Sequence, residues 1–335
     1  QVLDTVIIYP TKGQKNYDAA KQVLKKLIAK YHVTLISLGN GTASRESEAM
    51  IVELMKELNV DLKYVITDEA GASIYSASKE ATEEFPDFDE WQRSAASIAR
   101  RIQDPLAELV KIDPKSIGVG QYQHDMNQKN LGNALNNVVE DCVNSVGIDL
   151  NTASPALLSY VSGINKTLAK SIVSYRETNG SFKNRKELLK VPKLGPKAYE
   201  QCAGFLRIHG GSEALDATSV HPESYEATKA LMEKIGVSED DIKHGGMKGI
   251  SKKTKDTKKL AEELGIGEPT LVDIVKELEK PGRDPREEMP KPILRSDVLE
   301  MKDLKPGMEL KGTVRNVIDF GAFVDIGVHQ DLSLI

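Results

Sequence analysis

The sequence predicts a multidomain chain, α/β at its N-terminal end, all-α through its middle and β at its C-terminal end. Three observations predict it. Residues 1–125 alternate short β-rich apolar runs with segments whose apolar residues recur at helical spacing. Residues 127–208 carry helical spacing and two copies of a tight turn, Val161–Lys166 and Val191–Lys197, offset by thirty residues. From Leu304 onward the pattern turns to β-rich runs. A length of 335 residues fits two to four domains, at about 100–200 residues per domain.

The elements follow in order. Val2–Tyr9 is an apolar, β-rich run ended by Pro10, and predicts a strand. Tyr17–Tyr31 places Ala20, Val23, Leu24, Leu27 and Ile28 at helical spacing. Val33–Leu38 reads as a short buried strand running into Gly39-Asn40-Gly41. Met50, Ile51, Leu54, Met55 and Leu58 form the next helical stripe, Leu62–Thr67 the next strand, and Trp91–Val110 another helix. This alternation predicts an α/β layer with a largely buried sheet over residues 1–128. Residues 129–210 are expected to be helical without a strand, and residues 211–300 helical again. Within the latter, lysine-dense Lys248–Lys259 predicts a solvated loop, and Pro281–Pro292, with four prolines, a linker. Residues 301–335 are expected to hold strands Glu309–Val317 and Phe320–Ile326, separated by Ile318-Asp319.

Composition excludes several classes. The hydrophobic fraction of 40% is that of folded domains rather than a disordered chain. No apolar run approaches the roughly 18 residues of a membrane helix, and QVLDTVIIYP lacks the basic flank and cleavage site of a secretory signal. Two cysteines, Cys142 and Cys202, are too few for a disulfide scaffold or a cysteine zinc site. A reducing cytoplasm, a monomer, no membrane partner, no cofactor and no metal are the expectations.

The net charge of −5 argues against a uniformly basic binder, yet its distribution is uneven. Residues 155–210 hold ten basic and three acidic side chains, net +7. One basic block in an acidic chain is the footprint of a phosphate-binding module. The repeat lies inside it. In a tight turn between two short helices, backbone N–H groups point outward, glycine admits a phosphate close to them, and the next helix adds its N-terminal dipole. Gly163, Asn165, Lys166 and Lys170 mark the first turn; Lys193, Gly195 and Lys197 mark the second. The alternative is an αα-hairpin used only for packing, its charges a solvated face.

Leu150-Asn151-Thr152-Ala153, Tyr175-Arg176-Glu177, Asn179-Gly180, Phe182 and Leu188–Val191 carry a resemblance to the double helix-hairpin-helix modules of DNA-uptake and repair proteins. Each turn departs once from the family's Gly-hydrophobic-Gly pattern, with Asn165 for the second glycine of the first turn and Lys193 for the first glycine of the second. Asn165 is expected to keep its turn because Asn tolerates positive φ, whereas Lys193 departs without such an allowance. Further on, Lys311–Gly327 resembles the S-one-type RNA-binding OB fold, and Phe320 and Phe323 match its base-stacking aromatics. An OB barrel needs five strands, so the roughly 30 residues present read as a partial barrel. The family's stacking His has no match, since His329 lies in the preceding loop, and the tail DLSLI does not continue the pattern.

At the N-terminal end, Gly39-Asn40-Gly41-Thr42-Ala43-Ser44, with Asp61 and Asp68 beyond, is a degraded dinucleotide fingerprint. The competing reading is an RNase H-like domain, whose nucleases hold two metals on several carboxylates. Gly39 and Asn40 stand where such an enzyme needs an acid; Asp125 and Glu69 are isolated carboxylates, the weak catalytic candidates. The stretches GNGTASRE, DEAGASIYSAS, SIARRIQDPLAELVKIDPKSIGVGQYQHD and FLRIHGG resemble the Tex family of bacterial transcription accessory proteins. That resemblance implies a YqgF/RNase H-like domain, tandem helix-hairpin-helix domains and an S-one-type domain. It also implies RNA or DNA binding and a role near RNA polymerase, with a metal-dependent nuclease or resolvase acting through the YqgF domain, or a protein-interaction scaffold on the polymerase, as the alternatives. The first strand of the YqgF domain with its Asp-Pro-Gly motif is not found here, which leaves the carboxylate set incomplete. Leu264–Thr270 is then the hairpin of a second helix-hairpin-helix-like domain, with Glu268 beside the turn disfavouring phosphate.

Overall fold

The computed structural model describes residues 2–10, 17–58, 60–120, 122–254, 256–282, 284, 286, 294, 304–310, 312–319, 321–326 and 332–334. They fall into two compact units, one of Gln1–Asp104 with Lys291–Ile335, the other of Pro105–Pro290.

In the first unit, α1 (Tyr17–Tyr31) leads to β1 (Leu35–Gly39), α2 (Ser44–Glu57) and β2 (Lys63–Thr67). The strands pair in parallel, from Leu35 against Lys63 to Gly39 against Thr67, as a helical crossover between them allows. Ile28, Leu54 and Leu62 form one apolar cluster, and Ile51, Val52 and Tyr64 another. The buried Tyr64 hydroxyl donates to Glu48 at 2.8 Å. Three short-range elements complete this half: α3 (Ala72–Ser76), α4 (Lys79–Glu84) and α5 (Glu90–Gln103). Asp89 and Gln92 form a reciprocal capping box that starts α5.

Two expectations are corrected here. Val2–Tyr9 forms no strand. Its Leu3 and Ile7 are exposed, and Asp4 instead accepts from Lys30 and Tyr31. β-propensity describes fit to a pleated, half-buried surface, and this run finds no neighbouring strand to pair with. Trp91–Val110 is two helices, because Asp104 is extended (φ −150°, ψ 94°) before Pro105. A residue preceding proline is driven out of the helical region, while proline itself suits the first helical position.

The second unit opens with α6 (Pro105–Leu109), two 3₁₀ turns and the long α7 (Gln128–Val146), capped by the Asn127 side chain. The double hairpin follows. β3 (Ile148–Asp149) pairs in parallel with β4 (Leu206–Arg207), closing the segment end to end; the sequence shows no strand here, because a two-residue pairing has no periodicity. Between them lie α8 (Pro155–Leu158), α9 (Lys166–Asn179), a 3₁₀ turn at Arg185–Lys190 and α10 (Pro196–Cys202). Leu150, Leu158, Ile172, Leu188 and Leu206 are all fully buried, each contributing about 1.5–3 kcal/mol of burial.

Then come α11 (Tyr225–Ile235), α12 (Glu239–Lys243), α13 (Ile250–Lys253), α14 (Thr257–Leu264) and α15 (Glu268–Glu279), around a core that includes Leu231, Ile250, Leu271 and Leu278. The expected loop at Lys248–Lys259 is thus largely helical. Lys248, Lys252, Lys253, Lys258 and Lys259 are exposed, but Ile250 and Thr254 are buried and pin a helical turn beneath them. Of the linker, residues 283, 285 and 287–292 lie outside the described residues, while Asp284 and Arg286 pair at 2.7 Å.

Arg185 joins the two halves of this unit. It is 1% exposed. Its guanidinium donates to the carbonyls of Leu206 (2.6 Å), Val220 (2.7 Å) and Thr218 (2.5 Å) and to the Tyr225 hydroxyl (2.6 Å). Tyr225 donates in turn to buried Asp216, and burial pushes its phenol well above the usual range.

In the C-terminal part of the first unit, β5 (Thr313–Ile318), β6 (Gly321–Asp325) and β7 (Leu332–Leu334) form an antiparallel meander in that order. The pairing register of β5 with β6 shifts between Val314 and Asn316. The tail expected to fall outside the pattern supplies β7. Among the described residues this sheet has three strands rather than the five of an OB barrel.

Candidate nucleic-acid interface

The two turns of the double hairpin have matching backbones. Leu158 and Leu188 lie in the incoming helical turns, and both are fully buried. Val161 and Val191 accept from Ile164 N–H (3.0 Å) and Leu194 N–H (3.1 Å). Gly163 (φ +81°) and Lys193 (φ +70°) take the left-handed position. Ile164 and Leu194, each 5% exposed, plug the turn. Asn165 (φ −87°) and Gly195 (φ −85°) then start α9 and α10.

This alters the reasons given by the sequence. Asn165 does not use a positive φ. It caps α9, its side chain accepting from Leu168 N–H at 2.9 Å, and Gly163 supplies the left-handed residue. That glycine is required twice over, since a Cβ there would meet Gln201 Cβ at 2.7 Å. Lys193 keeps the second turn by adopting the left-handed region itself. Gly195 has open space around its missing Cβ, so no protein packing demands glycine there.

Among the described residues, no protein acceptor meets the N–H groups of Lys166 and Thr167 at the first turn, or of Gly195 and Lys197 at the second. Lys166, Lys170, Lys193 and Lys197 are exposed around these amides. The basic block is smaller than it reads in sequence, because three of its cations are structural. Arg185 is buried, Arg207 is 7% exposed, and Arg176 donates to the Leu150 and Ala153 carbonyls.

Lys193 yields a test of its own. A non-glycine residue in the left-handed region costs about 1 kcal/mol. Lys193→Gly is therefore expected to raise stability by roughly that amount in urea unfolding, while reducing the salt dependence of nucleic-acid binding. Unchanged or lowered stability would show that the Lys193 side chain holds the turn.

The other half has two more turns of the same outline, at Gly236-Val237-Ser238 and Gly265-Ile266-Gly267, with φ +72° at Gly236 and +66° at Gly265. Both lead into acidic helix starts, Glu239, Asp240 and Asp241 in one and Glu268 in the other. Negative side chains there occupy the dipole that a phosphate would use. The turn at Gly236 was missed in the sequence, although its Gly-hydrophobic-Ser pattern between helices was available to find it.

The remaining candidates separate. Phe323 is half-buried on β6, opposite Asn316 and Ser333; Phe320 lies outside the described residues. In the first unit, Asn40, Asp68 and Glu69 meet beyond the ends of β1 and β2. Asn40 Oδ1 accepts from Glu69 N–H at 3.1 Å, and Arg101 donates to the Asp68 carbonyl at 2.6 Å. The Glu69 carboxylate lies against Gly39 and Gly41, in the space a Cβ on either would need. A pyrophosphate needs that close approach, so the Glu69 carboxylate stands against the dinucleotide reading by its position and its charge. Asp125 is exposed in the other unit, 3.3 Å from His124. Among the described residues no three His, Cys, Asp or Glu side chains converge as a metal site, and no helix is long and apolar enough to cross a membrane. Cys202 is buried, its thiol pushed up to about 12, which leaves it unreactive.

An α/β half with a strand-end loop cluster, followed by hairpin turns bearing amides and lysines, defines a multidomain helix-hairpin-helix protein. The Tex protein YqgF-like domain matches residues 1–103, the helix-hairpin-helix motif residues 143–207, and a further HHH domain residues 213–286. The chain belongs to the Tex family. It is 55% identical over 99% of its length to "Uncharacterized protein YdcI" of Bacillus subtilis, and 53% identical over 99% to "Transcriptional accessory protein Tex" of Neisseria gonorrhoeae. It is 38% identical over 98% to human "S1 RNA-binding domain-containing protein 1". It spans 46%, 43% and 38% of those proteins respectively.

Proposed function

We propose that this chain is a nucleic-acid-binding part of a transcription accessory protein, gripping RNA or DNA strands by their phosphates at Gly163–Lys170 and Lys193–Lys197. The carrying observation is Lys193, a cation in the left-handed region at a position equivalent to Gly163. Strained residues cluster at functional sites, and the function this one serves is charge beside outward-facing amides. Phosphates carry no sequence information, so affinity falls with salt and is flat in sequence. The meander with Phe323, and Phe320 beyond the described residues, is the second contact by this reading, adding stacking. RNA polymerase is the protein partner the family relationship favours. Four domains at 1–128, 129–210, 211–300 and 301–335 remain the proposed division.

A nuclease reading needs converging carboxylates; Glu69 is committed to the Gly39–Gly41 loop. One experiment addresses both. Labelled oligonucleotides of unrelated sequence are titrated with the chain in Mg²⁺ or Mn²⁺, read by anisotropy and then by gel. Equal affinities and intact strands are expected. Strong sequence dependence, or cleavage abolished by Asp125→Asn, would contradict the assignment.

A further inference from the structure

Beside the first hairpin turn lies an open depression of about 320 Å³, lined by Asn136 and Glu140 of α7 and by Tyr160, Gly163 and Asn165 of the turn. That is the scale of a small-ligand site, about 300 Å³ upward. Its wall is held in place by Asn144, one helical turn beyond Glu140. Asn144 Oδ1 accepts from Ser162 N–H at 3.2 Å, and its Nδ2 donates to the Tyr160 carbonyl at 3.3 Å and the Glu140 carbonyl at 2.9 Å. Glu140 is half-buried.

The depression shares Gly163 and Asn165 with the turn whose amides face outward. If a phosphate sits on those amides, the group that enters the depression is its covalent neighbour, and the sugar comes before the base. A carboxylate shapes what it accepts. It repels a second phosphate and offers only acceptors, so its complement on a nucleic-acid strand, which carries no cations, is a neutral donor. The ribose 2′-hydroxyl is such a donor, and deoxyribose has none.

We propose that this depression is a ribose subsite, in which Glu140 accepts the 2′-hydroxyl of the nucleotide whose phosphate is held at the first hairpin. The inference rests on the phosphate reading above. It makes Glu140 an RNA-selecting residue in a module otherwise blind to sugar and sequence.

The test compares oligouridine with oligodeoxyuridine of equal length, strands that differ only in the 2′-hydroxyl and carry no exocyclic amine. Anisotropy is expected to show tighter binding of the RNA strand by the unaltered chain. Glu140→Ala, a good helix former on α7, is expected to weaken oligouridine about tenfold, the scale of one hydrogen bond to a charged group. It should leave oligodeoxyuridine unchanged or slightly tighter, and Glu140→Gln, which keeps an acceptor, should retain part of the preference. An unchanged RNA-to-DNA ratio in Glu140→Ala, with both strands bound more tightly, would overturn the proposal and leave Glu140 a repulsive surface charge. A loss on oligodeoxycytidine without one on oligouridine would also overturn it, in favour of a base amine. The parent reading fails separately: Lys166→Ala and Lys193→Ala would then leave affinity for both strands unchanged.

Discussion

Replacing Arg185 by methionine is expected to destabilise the 105–290 unit by about 3–5 kcal/mol, the cost of removing one partner from a buried charged network. Three carbonyls, those of Leu206, Thr218 and Val220, lose their donor, and each unsatisfied buried group costs about 1–3 kcal/mol. Asp216 is left buried with Tyr225 but without the cation. Against a usual domain stability of roughly 5–15 kcal/mol, this is a large share. Arg185→Lys should rescue little, because a single ammonium cannot reach acceptors spread around a planar fork. Urea unfolding followed by circular dichroism measures the effect. A loss below about 1 kcal/mol would mean that the network is replaceable and that Arg185 does not join the two helical halves.

Arg185 also shows where sequence reading stops. In the chain it is one of ten cations in a basic block, and its neighbours Lys183 and Lys186 do face solvent. Nothing local marks it as buried, since its acceptors come from residues 206–225. The hairpin skeleton was readable because it is local: Val161, Ile164 and Leu168 repeat as Val191, Leu194 and Ala198 within one short span. The left-handed residue was misplaced onto Asn165, since both glycine and asparagine fit that conformation and only the backbone decides which takes it. Val2–Tyr9 has the composition of a strand, but pairing is a property of two segments. The Asn144 bonds and the two-residue β3–β4 ladder were invisible for the same reason. In the first unit, the helical stripe of α2 and the run of β2 were plain. That Glu69 folds onto Gly39 and Gly41 was not.

The central claim is that phosphates are held by the two basic turns, and its most direct test is the salt dependence of binding. Lys166, Lys170, Lys193 and Lys197 are all exposed beside outward-facing amides. Each lysine that neutralises a phosphate releases counterions, and its removal lowers the log-affinity against log-salt slope by roughly 0.7–0.9. Removing all four is therefore expected to lower the slope by roughly three, with no change in sequence preference. Stability should change little, because surface lysines contribute little to folding and alanine at Lys193 keeps the same left-handed strain. Anisotropy on labelled single strands and duplexes at several salt concentrations, with circular dichroism on the variant, gives the answer. A folded quadruple Lys→Ala chain with a shallower slope and weaker binding is the predicted result; a folded one with unchanged slope and affinity would contradict the account.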